Sequence, residues 1–348
     1  MKVAIITDQH FGARKSSRIF HDFFKKFYRN VFFPTLKERG ITTVLDLGDT
    51  FDNRRNLDIW AAQWATHNYF DVLKDMGVEV HALVGNHTAY FKNTNLVNTL
   101  VTTVGEYDNV TIYSKATEVM IGGLPILFIP WINEENHDET YSLIDETECP
   151  IAMGHLELNG FEAHRGYIMD HGHATSPYKK FEQVFSGHYH QKSTRDNITY
   201  LGNPYQIYWN DYNQKRGFHI YDTNTKKLEF IENPYHIYKK IYYNEDIVNS
   251  STFAYSEYTN NFIKIIVEKK KNTDKFEFFI SQLYAAGVHE IKVIEDPSFE
   301  QDLNEDIDIE KEDTLTILER YVDDIEYKDK PALKSILKNL YVEALEIV

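Results

Sequence analysis

Four short polar clusters recur along the first 190 residues, and each directly follows a run of hydrophobic residues. They are Asp8-Gln9-His10, Gly48-Asp49, Gly85-Asn86-His87 and Gly187-His188-Tyr189-His190. The hydrophobic runs are typical of buried strands, and strand ends can converge at one edge of a sheet. The clusters offer side-chain oxygen and imidazole nitrogen atoms, which bind divalent metal ions. The pattern therefore predicts a metal site above a sheet.

The spacing within the clusters also suits metal binding. Asp8 and His10 are two residues apart, so on an extended segment their side chains point the same way, and His188 and His190 repeat this geometry. Asp49 has two carboxylate oxygens and can bridge two ions about 3.5 to 4 Å apart. Any one of these features alone also fits an ordinary turn, but their occurrence together favours a two-metal site.

Three polar residues complete the candidate site. Asn86 offers a neutral carbonyl oxygen as a ligand, whereas the adjacent His87 is expected to point toward the substrate. His155, like His188, follows a glycine at the end of a hydrophobic run, which predicts it as the missing nitrogen ligand. The alternative for His155 is a buried structural histidine.

The composition indicates an ordinary globular protein. At 348 residues and 42% hydrophobic content, the chain is long enough for one large core and a smaller appended unit. Cys149 is the single cysteine, so an internal disulfide and a thiolate metal site are both excluded. No apolar run approaches the roughly 18 residues of a membrane span, and no signal peptide is predicted. We expect a cytoplasmic protein, in the host cytoplasm if a phage encodes it.

The net charge of −16 argues at first against a polyanionic partner such as nucleic acid. However, residues 300–313 contain eight acidic residues and one lysine, and so contribute −7 of it. The remaining −9 is modest, and bound divalent cations reduce it locally. The net charge therefore does not exclude a nucleic acid substrate.

Hydrophobic periodicity predicts an α/β core with two mixed sheets. Strand-like runs alternate with helical patterns at first, which is typical of βαβ units, and strands dominate after about residue 108. Gly40 and Gly77 stand where the two predicted helices stop, and Asp58 can cap the second. The predicted strands are 2–7, 43–47, 78–84, 110–113, 126–129, 151–153, 184–186, 198–201 and 217–221, and the predicted helices are 17–39 and 58–76.

A different pattern begins at about Pro234. Strand-like 262–267, helical 274–286 and strand-like 290–294 predict a small α+β unit. The acidic stretch that follows is typical of a solvated linker. Two short amphipathic helices then close the chain, with apolar residues at Leu315, Leu318, Val322 and Ile325 and at Leu333, Leu337, Leu340 and Ala344.

These motifs resemble those of the calcineurin-like metallophosphoesterases. Within that superfamily, the chain is most similar to the SbcD-type recombination and repair nucleases, including those of T-even bacteriophages. The narrower resemblance is carried by Gly48-Asp49-Thr50-Phe51-Asp52, Pro130-Trp131, the run from Gly154 to Phe161, and Ser186-Gly187-His188-Tyr189-His190. It extends over essentially the whole chain.

The resemblance implies a fold and a domain organisation. The fold is a two-sheet metallophosphoesterase sandwich flanked by helices, with a small α+β capping domain and C-terminal helices. The implied segments are a nuclease domain at 1–233, a DNA-binding capping domain at 234–297, an acidic linker at 298–313 and a helical docking segment at 314–348.

The resemblance also implies the site's chemistry. Two divalent metal ions are expected, manganese being usual in the family and magnesium an alternative. His87 is expected to protonate the leaving oxygen or to stabilise the charged transition state. The implied ligands are Asp8, His10, Asp49 and His190 for one metal and Asp49, Asn86, His155 and His188 for the other.

One residue departs from the family pattern. The family motif is Gly-Asn-His-Asp, and Thr88 stands here in place of the acid that favours a protonated histidine. We therefore predict a weaker or more acid-shifted His87, unless Asp52 or another nearby carboxylate compensates.

The implied substrate is DNA, and the implied partner is the coiled-coil base of an SbcC-type ATPase, bound through the terminal helices. The alternative for these helices is packing on the chain's own core. Basic residues suited to phosphate contacts include Lys25, Lys26 and Arg29, and, as the best candidates, Arg54, Arg55, Lys269, Lys270 and Lys271. Tyrosines at 205, 208, 212, 235, 238, 242 and 243 could stack on bases, although packing is the simpler interpretation.

A homodimer is also implied by the family. The aromatic residues Phe23, Phe24, Phe27 and Tyr28 are one candidate face, with burial inside the monomer as the alternative. Two other functions compete with a DNA nuclease. One is a small-molecule phosphomonoesterase or cyclic-nucleotide phosphodiesterase, and the other is a non-catalytic DNA-bridging subunit.

Overall fold

The computed structural model describes residues 1–164 and 167–295, together with five later positions. These five positions are helical, and they are Val322, Lys330, Leu333, Lys334 and Leu337. The predicted linker and most of the predicted docking segment lie outside the described residues. The chain divides into two compact units, Met1–Glu295 and Asp296–Val348. No helix among the described residues has the length and apolar character needed to cross a membrane.

Up to residue 294, each predicted strand and helix has a counterpart in the described residues, which also contain elements that were not predicted, among them β4, β5, β7 and α7. The strands are β1 (Lys2–Ile6), β2 (Thr43–Asp46), β3 (Glu79–Leu83), β4 (Ala89–Phe91), β5 (Thr94–Asn98), β6 (Val110–Tyr113), β7 (Thr117–Ile121), β8 (Leu124–Ile129), β9 (Ile151–His155), β10 (Glu162–His164), β11 (Tyr167–Ile168), β12 (Gln183–Gly187), β13 (Ser193–Arg195), β14 (Ile198–Tyr200), β15 (Gly217–Asp222), β16 (Lys227–Glu232), β17 (Tyr238–Asn244), β18 (Phe262–Lys269) and β19 (Glu290–Ile294). The α-helices are α1 (Ala13–Ser16), α2 (Arg18–Phe27), α3 (Phe33–Arg39), α4 (Ile59–Ala65), α5 (Asp71–Asp75), α6 (Thr99–Val104), α7 (His137–Glu146) and α8 (Thr273–Ala285).

The two long predicted helices are each interrupted by a π-helical segment. Tyr28–Phe32 joins α2 to α3, and Thr66–Phe70 joins α4 to α5. Gly40 ends the first helical run in a left-handed conformation, with φ 61°. Asp58 caps the second, because its carboxylate accepts a hydrogen bond of 2.9 Å from the backbone N–H of Ala61. Both predicted helix boundaries are confirmed.

Two mixed sheets of six strands form the core of the described chain. The first has the order β16-β15-β1-β2-β3-β6, and the second has the order β13-β14-β12-β9-β8-β7. In the first sheet β1, β2, β3 and β6 run parallel, and in the second β8, β9, β12 and β14 do so. The predicted two-sheet α/β core is therefore confirmed.

Alternating side chains divide the core into layers. Val3 and Ile5 point from β1 into a cluster that also contains Phe128 of the second sheet, so the two sheets pack face to face. Ala4 and Ile6 point the other way, into a cluster formed with the helices. The outer face of the second sheet is covered by a third cluster. The sandwich is thus flanked by helices, as predicted.

Within residues 1–295, the segment from β17 to β19 forms a small C-terminal unit with its own sheet and core. Its three strands, in the order β17-β18-β19, are all parallel, and α8 connects β18 to β19. Phe276, Phe279 and Leu283 of α8 pack on Ile263 and Ile265 of β18. The predicted α+β unit is present, although residues 1–295 form one compact unit, and the boundaries at 233 and 297 stay predictions.

The aromatic residues near the first long helix are core residues. Phe24, Phe27 and Tyr28 are fully buried, and Phe23 packs against the same cluster. Tyr205 stacks on Phe24 with ring centroids 3.8 Å apart. The candidate dimer face on these residues was therefore wrong, and the alternative of burial within the monomer is correct.

Candidate metal centre

The predicted ligands converge because their strands end at one edge of both sheets. Asp8 follows β1, Asp49 follows β2 and Asn86 follows β3 in the first sheet, while His155 ends β9 and His188 follows β12 in the second. Parallel neighbours place their carboxyl ends side by side, so five turns from two sheets face one another. The structure brings together all seven predicted ligand residues.

A first group contains Asp8, His10 and His190. Their ligand atoms all lie within 4.8 Å of one another, and all three side chains are buried. The Nε2 atoms of the two histidines are 2.9 Å apart. The Asp8 carboxylate accepts the backbone N–H of His188 at 3.0 and 3.1 Å, which ties the first cluster to the fourth.

A second group contains Asp49, His155 and His188, whose ligand atoms also lie within 4.8 Å of one another. His155 Nε2 is 3.1 Å from Asp49 Oδ2 and 2.9 Å from Asn86 Oδ1. Asn86 Oδ1 is also 3.0 Å from His188 Nδ1. The Nδ1 atom of His155 is 2.8 Å from the carbonyl oxygen of Leu47, which orients the ring and leaves Nε2 facing the group.

The donor set fits divalent metal ions. Buried carboxylates are costly unless they are paired or bind metals, and Asp8 and Asp49 are both buried here. Burial raises the pKa of Asp8. Burial opposes ionisation of Asp49 as well, but His155 and His87 hold its pKa well below the usual range. Mixed oxygen and imidazole ligands suit manganese, iron, zinc or magnesium.

The electrostatics of His155 also indicate a site for a cation. Burial alone lowers the pKa of His155, but the charge and hydrogen bond of Asp49 outweigh it and raise the pKa to about 9. The pocket around this ring therefore favours a positive charge. A divalent cation bound to the neutral ring would supply that positive charge.

Glycines in the clusters allow the turns to approach closely. A Cβ atom at Gly85 would overlap the carboxylate of Asp49, and one at Gly187 would overlap the hydroxyl of Thr7. The first glycine therefore lets the β3 turn reach Asp49, and the second lets β12 reach β1. These contacts explain why glycine precedes Asn86 and His188.

His87 lies beside both groups. Its backbone N–H donates to Asp49 Oδ1 at 2.9 Å, and its Nδ1 lies 2.6 Å from the backbone carbonyl of Asp52. The His87 ring meets the His10 ring edge to face, with centroids 4.9 Å apart. The side chain is therefore oriented by its neighbours and lies beside the first ligand group, and its orientation toward a substrate stays a prediction.

Thr88 and Asp52 take roles that the sequence did not show. The hydroxyl of Thr88 accepts from Gly85 N at 2.8 Å and donates to Gly85 O at 2.9 Å, so it closes its own turn. The Asp52 carboxylate lies 3.0 Å from His10 Nδ1 and within 4.8 Å of a His87 nitrogen. Asp52 thus contacts His87 through its carbonyl oxygen, and its carboxylate is available to both histidines.

Sequence reasoning missed two buried charges that brace these turns. Asp46 is fully buried at the end of β2, where burial raises its pKa to about 7. Arg216 is also buried, and its guanidinium donates to His190 O, to Asn203 Oδ1 and to Asp211 Oδ1. A charged residue inside the hydrophobic run 44–47 was a usable signal for Asp46, whereas Arg216 lies far along the chain from the cluster it supports.

The candidate DNA-binding residues are exposed or half-buried, and the three lysines among them form local ion pairs. Lys269 lies 2.5 Å from Asp246, which also pairs with Lys271, and Lys270 pairs with Glu295. Arg54 is half-buried and Arg55 is exposed, close to Asp52 in the chain. Among the tyrosines, those at 205, 238 and 243 are buried, so the packing interpretation is correct for these three.

Residues 1–192 match the family model described as calcineurin-like phosphoesterase. Exonuclease subunit 1 of Enterobacteria phage T4 is 34% identical to the chain over 316 residues, which are 89% of this chain and 90% of that protein. A solved archaeal phosphodiesterase is 13% identical with TM-score 0.34, covering 67% of this chain and 100% of its own. A dimetal phosphatase from Danio rerio is 12% identical with TM-score 0.38, covering 63% of this chain and 91% of its own. The family match includes all four polar clusters and His155.

Proposed function

Because the chain belongs to the calcineurin-like phosphoesterase family, we propose that it is a DNA nuclease subunit that hydrolyses phosphodiester bonds with two divalent metal ions. The observation that carries the proposal is the presence of two buried ligand groups, Asp8–His10–His190 and Asp49–His155–His188. The similarity to a phage exonuclease subunit supports DNA as the substrate. We propose exonuclease activity together with single-strand endonuclease activity, in double-strand-break processing, recombination and replication.

The proposed ligands fall into two sets that share Asp49. Bound there, the ions would polarise the phosphate and supply an activated water, and we propose manganese, with magnesium as the alternative. The shared role of Asp49 is supported by its proximity to both sets, since its Oδ2 is 3.1 Å from His155 Nε2 and its carboxylate also interacts electrostatically with His10. The two sets are Asp8, His10, Asp49 and His190, and Asp49, Asn86, His155 and His188.

We assign His87 as the catalytic acid. Its Nδ1 lies against the Asp52 carbonyl oxygen, which fixes the proton on that nitrogen and directs Nε2 away from it. In the imidazolium form Nε2 carries the second proton, which can be transferred to the leaving sugar oxygen and leaves the ring neutral with its proton on Nδ1. The 4.9 Å contact with the His10 ring keeps His87 beside the first ligand group.

The central test is a nuclease assay of the full chain with manganese and with magnesium, on single-stranded and double-stranded DNA. We expect metal-dependent cleavage of DNA by the intact chain and loss of cleavage in His87→Ala. A higher activity on para-nitrophenyl phosphate than on DNA would instead favour a small-molecule phosphoesterase. Metal-dependent DNA binding without any cleavage would favour a non-catalytic bridging subunit.

We propose an SbcC-type coiled-coil ATPase as the partner of residues 314–348. Short amphipathic helices are marginal alone, which supports docking on another surface, and the described positions in this segment are helical. Deletion of residues 312–348 should abolish co-purification with the ATPase and leave manganese-dependent nuclease activity intact. Retained binding would contradict this assignment.

We also propose a homodimer, which uses an exposed apolar face next to the third cluster. The face comprises Tyr90, Phe91, Leu96, Val97 and Val101 on β4, β5 and α6. Apolar side chains that cluster on a surface are typical of protein interfaces. Leu96→Glu should therefore shift sedimentation from dimer to monomer, whereas Met120→Glu, at the same 64% exposure on β7, should not.

A further inference from the structure

Asp46 is a buried charge that contacts two of the metal-binding turns. It is the last residue of β2, and its own strand neighbours are apolar. Asp46 Oδ2 accepts from Gln9 Nε2 and from Thr50 Oγ1, both at 2.8 Å. Asp46 Oδ1 accepts from the backbone N–H of Gly48 at 3.2 Å. One carboxylate is therefore shared by the turn after β1 and the turn after β2.

Gln9 is held on its other side as well. It lies between Asp8 and His10, and its Oε1 accepts from the hydroxyl of Tyr28 at 2.5 Å. Its backbone carbonyl accepts from the hydroxyl of Tyr205 at 2.6 Å. Gln9 is fully buried, so it has no water with which to replace a lost partner. The amide is therefore fixed in one orientation, with Nε2 toward Asp46.

We infer that Asp46 and Gln9 are positioning residues that hold the Asp8–His10 turn and the Asp49 turn at the separation two metal ions require. This inference rests on the proposed two-metal function. Neither residue contributes a ligand atom to the two groups described above. Their contact is instead a direct hydrogen bond between the first cluster and the strand that carries the second.

The backbone conformation of these turns explains why they need stabilising contacts. Asp8, His10 and Asp49 have φ values of 53°, 48° and 51°, a left-handed conformation that non-glycine residues rarely adopt. Surrounding contacts must stabilise these turns, because the conformation is intrinsically unfavourable. The Asp46 carboxylate contacts Gln9 inside one turn and both neighbours of Asp49 in the other.

The test exchanges the carboxylate of Asp46 and the side-chain amide of Gln9. Asp46→Asn replaces one of the two acceptor oxygens with an NH2 group, so one of the buried donors, Gln9 Nε2 or Gly48 N–H, loses its acceptor. The double variant Asp46→Asn with Gln9→Glu restores one carboxylate and one amide in reversed order, and the carboxylate at position 9 still accepts from Tyr28. Manganese binding to the full chain is measured by calorimetry, alongside the melting temperature of each metal-free variant.

We expect Asp46→Asn to weaken manganese binding by about 10- to 100-fold, the usual effect of removing a group that orients ligands. The double variant should recover most of that loss. Thr147→Val is the matched control, since it also removes buried hydrogen bonds, to Glu118 and Cys149, but at the edge of the second sheet. Its manganese affinity should equal that of the wild type.

Two results would overturn the inference: wild-type affinity in Asp46→Asn, or a double variant that binds no better than Asp46→Asn. If Asp46→Asn does not fold, Gln9→Met removes the same hydrogen bond with a side chain of similar shape, and the same loss of affinity is expected. A wild-type chain that binds two ions but does not cleave DNA would contradict the proposed function alone. The two failures are therefore distinguishable.

Discussion

Charged groups are used differently at the metal centre and on the small C-terminal unit. At the centre, Asp8 and Asp49 are buried, and each has fixed partners: Asp8 accepts from the backbone N–H of His188, and Asp49 contacts the backbone N–H of His87 and the imidazole of His155. On the C-terminal unit, Lys269 and Lys271 share one partly exposed carboxylate, Asp246. Buried charges with fixed partners define a geometry, whereas exposed pairs are screened and exchange partners. Substitutions should therefore have large, local effects in the first region and small, salt-dependent effects in the second.

The largest difference should come from removing one carboxylate charge in each region. Asp49→Asn should weaken both proposed ligand sets and is expected to reduce the nuclease rate by at least roughly 1,000-fold. Asp246→Asn removes an exposed acid and should leave the rate within about two-fold of the wild type. Single-turnover cleavage with saturating manganese measures both. Similar losses of rate in the two variants would contradict the expected difference between the two regions.

His87→Ala should produce the next largest effect. Loss of a general acid typically costs about 100- to 10,000-fold in rate. We assign His87 to proton transfer and not to either proposed ligand set, although its ring nitrogen lies within 4.8 Å of ligand atoms of His10 and Asp52, so manganese affinity should change little. A large loss in kcat with unchanged manganese affinity would distinguish His87 from the metal ligands. A parallel loss of metal affinity would reassign His87 to a structural or ligating role.

Thr88→Asp tests the departure from the family motif. A carboxylate near His87 favours the protonated ring, so the limb of the pH–rate profile that reports His87 should move to higher pH. The buried Thr88 hydroxyl now bonds to both backbone groups of Gly85, and an ionised aspartate cannot donate to Gly85 O. We therefore also expect a modest loss of stability. An unchanged rate and pH profile would show that Thr88 does not limit His87.

His219 gives a pH effect on stability that is independent of the metal centre. Burial in β15 lowers the pKa of His219 to about 3, against an ordinary value of 6.5. The unfolded chain therefore takes up a proton as the pH falls below 6.5, while the folded chain does not, and stability is lost in that range.

Between about pH 7 and about pH 5, the wild type should lose about 2 kcal/mol more than His219→Gln in urea unfolding. His137→Gln, a change at an exposed histidine, is the control and should keep the wild-type dependence. Equal slopes in wild type and His219→Gln would contradict the assignment.

The smallest effect is expected at Lys270. Its ion pair with Glu295 is partly exposed, so Lys270→Ala should change the free energy of unfolding by less than about 1 kcal/mol. If Lys270 contacts a DNA phosphate, the salt dependence of DNA binding should fall by about one charge in the same variant. An unchanged salt dependence would remove Lys270 from the proposed DNA surface.

Local patterns predicted most of the fold and the proposed ligands, because both depend on short segments. Gly40 ends a helix through its own conformation, and Asp58 caps one three residues away. His155 was identified from its position at the end of a hydrophobic run, and the structure places it against Asp49.

Features that depend on distant partners could not be predicted in this way. Arg216 supports His190 through contacts that only the folded chain creates, and the burial of Tyr28 depends on Tyr205, far along the sequence. Thr88 shows the same limit, because no local pattern indicates that its hydroxyl bonds to Gly85. The surface lysines were visible in the sequence, but not their pairing with Asp246 and Glu295.

The left-handed turns have a consequence for heat resistance. Asp8, His10, Asp49 and His188 adopt φ values from 48° to 86°, and each such residue costs on the order of 1 kcal/mol. Glycine would adopt these conformations without that cost. Selection of this chain for thermal survival alone should therefore enrich glycine at these four positions, and the hardiest survivors would be inactive. Screens for robust variants need to score activity in the same round.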